Sequence, residues 1–197
     1  MMGAAGAAGG DPLYVDDVFS TFLYDGTGSA QTITNGIDLA GEGGMVWLKN
    51  RSSGGSYTNN SIVDSERVGS SGYKSIYSNL TQGQLDPSDA ASAVVTTFNG
   101  NGFATGGNAN ISNSGGTYAS WTFRKAPGFF DVVTYTGNDV VGRQIAHNLG
   151  SVPGMIIVKR TDGSDNWHVY HRSTGATKFL TLNTTDSATT QSSVWND

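Results

Sequence analysis

Apolar and β-branched residues in this chain come in short runs, separated by clusters of Gly, Ser, Thr, Asn and Asp. From Tyr14 the pattern turns to strand: Val18, Phe19, Phe22 and Tyr24 sit among Ser20 and Thr21 and stop at Asp25-Gly26. Gln31–Thr34 alternates and is closed by Asn35-Gly36. Met45–Lys49 is a nearly continuous apolar run between Gly43-Gly44 and Asn50, which predicts a strand covered on both faces with Trp47 at its buried centre. Ser61–Asp64, Lys74–Asn79 and Ala93–Phe98 predict further strands, with Gly83–Ala91 as a long polar connection. Asn99-Gly100-Asn101-Gly102 carries two Asn-Gly pairs, the strongest hairpin signal in the chain, and Phe103–Thr105 returns from it. Gly106–Gly116 reads as a polar loop. Tyr118–Arg124 then alternates Tyr118, Ser120 and Thr122 against Ala119, Trp121 and Phe123, a half-buried strand. No apolar pattern of helical period lasts three turns, so no long helix is expected.

The pattern is then said again. Gly44–Lys49 recurs as Gly154–Lys159, at an offset of 154 − 44 = 110 residues, and Phe22–Gly26 has its echo in Val133–Gly137. A period near 110 is the size of one small domain, too long for a solenoid repeat. The second copy predicts strands at Phe130–Tyr135, Arg143–Ala146, Pro153–Lys159, Trp167–His171 and Lys178–Asn183, with Val194-Trp195 matching the region of Val94. Nothing later in the chain matches Asn99–Arg124. The expected organisation is a flexible lead (1–13), a complete unit (14–126), a tight linker around Pro127, and an incomplete second unit (129–197). The expected fold is all-β: tandem antiparallel β-sandwiches of jelly-roll or concanavalin-like type, the second truncated. An apolar Met155–Lys159 strand without its partners should leave an edge or face uncovered, a template for pairing with another chain.

Composition sharpens this picture. Glycine is 28 of 197 residues, about twice the usual share, as expected for many turns between short strands. Charged residues are only 14%, so hydroxyl and amide side chains must cover much of the surface, which suits glycan contact or oligomer packing. A net charge of −5 without a Lys/Arg cluster speaks against nucleic acid as a partner. The absence of cysteine excludes disulfides, zinc–thiolate sites and thiol catalysis. Met1–Gly10 lacks a basic start and its glycines would break an apolar core, so no signal peptide is read. No apolar run approaches a membrane span.

Candidate chemistry is sparse. Asp64 and Glu66, at i and i+2 on one strand face, are the best carboxylate pair, with backbones about 7 Å apart and a spacing open to either glycosidase geometry. Arg67 beside them favours a solvated, salt-bridged edge over catalysis. His168 and His171 point to opposite faces of a strand and so diverge rather than chelate. His147 falls in a turn. Asp162–Asn166 is oxygen-rich but lacks the frame of an EF-hand, and reads as a plain turn. No serine elbow or phosphate-cradling glycine loop is present, and no cofactor or metal is implied. Phe19, Phe22, Trp47, Trp121, Phe123 and Phe130 are expected in the core. Tyr57, Tyr73, Tyr118 and Trp167 border polar loops and are the candidate rim residues for stacking on a sugar ring.

The segments Tyr14–Tyr24, Tyr118–Pro127 and His147–Lys159, with Asn166–His171 and Phe179–Asn183, resemble marine bacteriophage (cyanophage-like) tail-fibre proteins that carry a repeated β-rich domain. The resemblance covers nearly everything after residue 13 and transfers no catalytic residue. It implies a virion appendage module, oligomeric with itself or with other virion subunits, contacting a host surface polysaccharide. Non-enzymatic presentation is the first expectation. A polysaccharide-degrading hydrolase or lyase on the same appendage is the alternative.

Overall fold

A computed structural model of the chain describes residues 12–52 and 58–195. Eight strands build the first unit: β1 (Phe19–Asp25), β2 (Gln31–Thr34), β3 (Gly44–Asn50), β4 (Ser61–Val68), β5 (Tyr73–Tyr77), β6 (Val95–Asn99), β7 (Gly102–Thr105) and β8 (Thr117–Arg124). They form a five-stranded sheet in the order β1-β8-β3-β4-β5 and a three-stranded sheet in the order β2-β7-β6. All pairings are antiparallel. The fold is all-β, and the two sheets share one core of Ile33, Ile37, Leu39, Val46, Leu48, Val63, Val94, Val95, Phe98, Phe103 and Ile111.

Local chemistry explains the elements. The Asn-Gly signal does make a hairpin, with Asn99 paired to Gly102 and a two-residue loop between β6 and β7. Gly102 lies at φ 134°, and a Cβ there would collide with the Ile33 carbonyl of β2, so the position is closed to other residues. Two single-turn helices interrupt stretches read as strand and loop. In α1 (Val15–Val18) the Asp17 carboxylate accepts from the Tyr14 N–H at 2.8 Å, and Val18 ends the turn instead of starting β1. In α2 (Ala109–Ser112) the Asn108 side chain accepts from the Asn110 N–H at 3.0 Å, an N-cap.

The two faces of β8 are inverted relative to expectation. Tyr118, Ser120 and Thr122 are fully buried between the sheets, whereas Trp121 and Phe123 are only half-buried on the opposite face. The small hydroxyl residues can be interior because they are bonded: Asn35 Nδ2 donates to Thr122 Oγ1 at 2.7 Å. Trp47 shares that outer face and is half-buried, edge-on to Trp121 at 6.3 Å, so the expected buried centre of β3 belongs to Val46 and Leu48. Phe19, Phe123, Phe129 and Phe130 cluster there too, outside the sandwich core where three of them were expected.

The second unit contributes β9 (Met155–Val158), β10 (His168–His171), β11 (Lys178–Thr181) and β12 (Thr189–Thr190) in the sheet order β12-β11-β10-β9. Met155 faces His171 and Ile157 faces Val169, the register in which Met45 faces Asp64 and Trp47 faces Ile62. Residues 130–135 and 143–146, expected as strands, are irregular, and Ser192–Val194 is a 3-10 turn in place of a last strand. The reason lies in the first unit, where β1 pairs only with β8 and β2 only with β7. Among the described residues neither segment has a counterpart of β7 or β8 beside it to pair with.

Candidate functional site

The second unit docks on the outer face of the five-stranded sheet through Trp167. This side chain is 3% exposed and packs on Ile62 and Ile76, flanked by Met45, Trp47 and Leu182. Its indole N–H is shared by the carbonyls of Tyr77 and Leu80, both at 3.1 Å. Backbone bonds extend the seam: Gln84 N–H donates to Thr161 O and Asp165 N–H to Thr81 O, each at 2.8 Å. Lys159 Nζ reaches Thr81 O at 3.0 Å, and burial there pushes its pKa down. Trp167 was a candidate for sugar stacking; its burial corrects that reading.

Tyr118 is corrected likewise. It is fully buried, stacked on Tyr24 at 5.2 Å, and its hydroxyl accepts from the Asn113 N–H at 2.9 Å. Tyr57 lies outside the described residues. Tyr73 is the one candidate that borders an opening. It is half-buried against the core, stacked on Phe98 at 4.4 Å, and lines a groove of about 260 Å³ between β5 and the 85–92 connection. Leu85 gives that groove an apolar wall, and Ser88, Ser92 and Asn108 give it hydroxyl and amide groups. Asp86 at its rim accepts from the Ser70 N–H at 2.9 Å and lies 3.4 Å from Lys74 Nζ. The Ser70 backbone bond, then the Ser70 hydroxyl and Lys74, hold the Asp86 carboxyl below the usual carboxylate range. Sequence reading passed over these groove residues, although Asp86-Pro87-Ser88 is a turn signal that could have marked them. A second groove, of about 340 Å³, lies where loops 82–85 and 161–164 meet.

The carboxylate pair does not form a site. Asp64 is 5% exposed, not a solvated edge residue, and its Oδ2 accepts from Arg67 Nε at 2.8 Å and Nη2 at 2.6 Å. Its Oδ1 takes the Glu66 N–H at 3.1 Å, and Arg67 Nη1 is buried without a partner. Glu66 turns to Lys125 instead, Oε1 to Nζ 2.7 Å, and Lys125 also lies 3.7 Å from Asp131. That junction fastens the linker: Asp131 accepts from the Asn148 N–H at 2.7 Å, and the Gly128 N–H donates to Leu149 O at 2.7 Å. His147 Nδ1 accepts from the Leu149 N–H, so it is a turn hydrogen-bonder. His168 pairs with Val158 and packs on Phe179, whereas His171 pairs with Met155, which places the two imidazoles on opposite faces. Asp162 is paired with Arg160 at 2.7 Å. Among the described residues no cluster of three or more His, Asp or Glu could hold a metal ion.

A family model for a domain of unknown function (DUF7483) matches residues 15–129 and again residues 127–197. No curated protein and no solved structure matches the chain.

Proposed function

The chain belongs to this family of unknown function, and from its own geometry we propose that it is a non-enzymatic structural module of a virion appendage that contacts surface glycans. The observation carrying this reading is the fate of Asp64 and Glu66, the best carboxylate pair the sequence offers. Asp64 is neutralised by Arg67 and Glu66 by Lys125, and neither borders either groove. Glycosidic cleavage needs two carboxyl groups facing each other across the bond, one free to give a proton. What the surface offers instead is the Tyr73 groove, an aromatic edge among hydroxyl and amide groups, which suits weak contact with a polyhydroxylated ring. The resemblance to tail-fibre proteins supports the appendage setting, with further virion subunits or copies of this chain as partners.

Glycan-array binding and reducing-end release, run in parallel on the whole chain, test the reading. Binding weakened about tenfold by Ser88→Trp, which fills the groove, and no release of reducing ends are expected. Release by the native chain that Glu66→Gln abolishes would establish the polysaccharide-degrading alternative. Antibody labelling of purified virus particles checks the setting: label on appendages is expected, and unlabelled particles would overturn it.

A further inference from the structure

Two grooves meet at Leu85. One is the Tyr73 groove, the other lies at the seam where loops 82–85 and 161–164 come together, and Leu85, 41% exposed, lines both. Two backbone bonds to Ser75, at 2.8 and 3.0 Å, fix Leu85 as the ridge between them. The polar groups of the two grooves differ in availability. In the Tyr73 groove Ser92 Oγ donates to Asp89 O at 3.0 Å. Asn108 gives its amide N–H to Ser92 O at 2.7 Å, and its amide oxygen takes the Asn110 N–H at 3.0 Å. These groups are spent on the chain itself. In the seam groove the half-buried side chains of Gln82 and Gln84, and the exposed Ser164 hydroxyl, make no hydrogen bond among the described residues. An amide carries donors and an acceptor together, the match for a sugar hydroxyl that both gives and takes. The seam groove exists only while the two units are docked. Gln84 N–H on Thr161 O and Asp165 N–H on Thr81 O join its walls. At Gly83 a Cβ would collide with the Thr161 carbonyl, so the loops meet backbone to backbone.

We propose that the two grooves form one track over Leu85 that takes a neutral oligosaccharide chain, stacked at Tyr73 and hydrogen-bonded by Gln82, Gln84 and Ser164 at the seam. This rests on the glycan-contact reading and gives it a ligand class. Size favours a joint site. At about 260 and 340 Å³, one groove falls below and the other barely reaches the range of ligand pockets, about 300–1,000 Å³, whereas together they lie well inside it. The chemistry divides the same way. A ring at Tyr73 gains an aromatic edge but finds few free partners for its hydroxyls, and unpaired polar groups are costly. The next rings along the track supply what the first lacks. Neutrality follows from the charges at each end, which are already paired: Asp86 with Lys74, and Asp162 with Arg160. Because the track runs from the first unit onto the second, an occupied track holds the two together.

Titration calorimetry of the full chain with linear glucan, mannan and galactan oligosaccharides of two and six rings tests the track. One six-ring chain per molecule is expected, bound at least about tenfold tighter than the two-ring form, since a single ligand then engages both grooves. Ser164→Trp fills the seam groove and Ser88→Trp the other, and each should weaken the six-ring ligand about tenfold. Should Ser164→Trp not fold, the double substitution Gln82→Ala with Gln84→Ala replaces it and should cost about fivefold. Amide exchange in β9–β12 should slow as the six-ring ligand binds. Sensitivity to only one of the two fillings would overturn the track; where that one is Ser88→Trp, the Tyr73 reading stands without it. Two six-ring chains per molecule would show separate sites and overturn it as well. Binding of none of the three series would overturn the track and the glycan reading together.

Discussion

The segments Gly44–Lys49 and Gly154–Lys159, which hold β3 and β9, begin with the same Gly-Met, continue in apolar residues and run into a lysine, and each strand faces its following strand in the same register. Yet Val46 and Leu48 are completely buried, whereas Ile156 is 38% exposed. Their sequences do not account for that difference. Burial of a strand is conferred by what lies beside and above it: β3 has β8 on the edge away from β4 and the β2-β7-β6 sheet over its inner face, and among the described residues β9 has no counterpart of either. The same comparison explains why 130–135 carries a strand-like sequence without a strand. A period-two pattern states that a segment can pair; a partner decides whether it does.

The comparison can be broken most sharply at the seam. Trp167→Ala should cost about 3–5 kcal/mol of the second unit's stability, because a buried aromatic leaves a cavity and two carbonyls lose their donor. Hydrogen exchange should then speed up in β9–β12 while β3 and β8 keep their protection. Equal loosening of both units would show one cooperative block instead of a host and a dependant.

Paired truncations in the two related strands come next. Leu48→Ala is expected to lower stability by about 2–5 kcal/mol and Ile156→Ala by less than about 1 kcal/mol, the difference arising from cover and not from residue type. Chemical denaturation measures both. A loss at Ile156 as large as at Leu48 would mean that β9 is covered after all.

The smallest effects belong to ionisation. Lys125 has its pKa raised, first by its bond to Glu66, and Tyr24 has its pKa raised, first by burial and then by Tyr118. A folded pKa above the unfolded value contributes stability that is complete below the unfolded pKa and is lost as pH rises through the folded one. Stability should therefore decline above about pH 10. Tyr24 should give its tyrosinate absorbance only as the first unit unfolds. Lys125→Met should cost no more than about 1 kcal/mol and should free the 127–149 linker before it touches the sandwich. A tyrosinate signal from Tyr24 in the intact fold would contradict the burial of its ring.

Much of the candidate site was illegible in the sequence for a definable reason. Tyr118 and Trp167 border polar loops in the chain, and that is how exposed aromatics look, but in space Asn113 satisfies one hydroxyl and the Tyr77 and Leu80 carbonyls satisfy one indole. A polar handle with a remote partner reads in one dimension like a polar handle in water. Asp64 shows the same limit. Its neighbour Arg67 was visible, but the burial of the pair came from the sheet around it.

Sequence alone determined that this chain is all-β, where most of its strands run, where its hairpin turns, and that Gly44–Lys49 and Gly154–Lys159 are related, since these follow from alternation, glycine conformation and local propensity. It also excluded thiol chemistry. Which face of β8 became the core, that Trp47 looks outward to pack against the cluster of Ile62, Ile76 and Trp167, and that two strand-like segments form no strand were decided only in the tertiary structure. Each depends on contacts between residues tens of positions apart, and a strand with two apolar faces does not itself carry the choice of which one another sheet will cover.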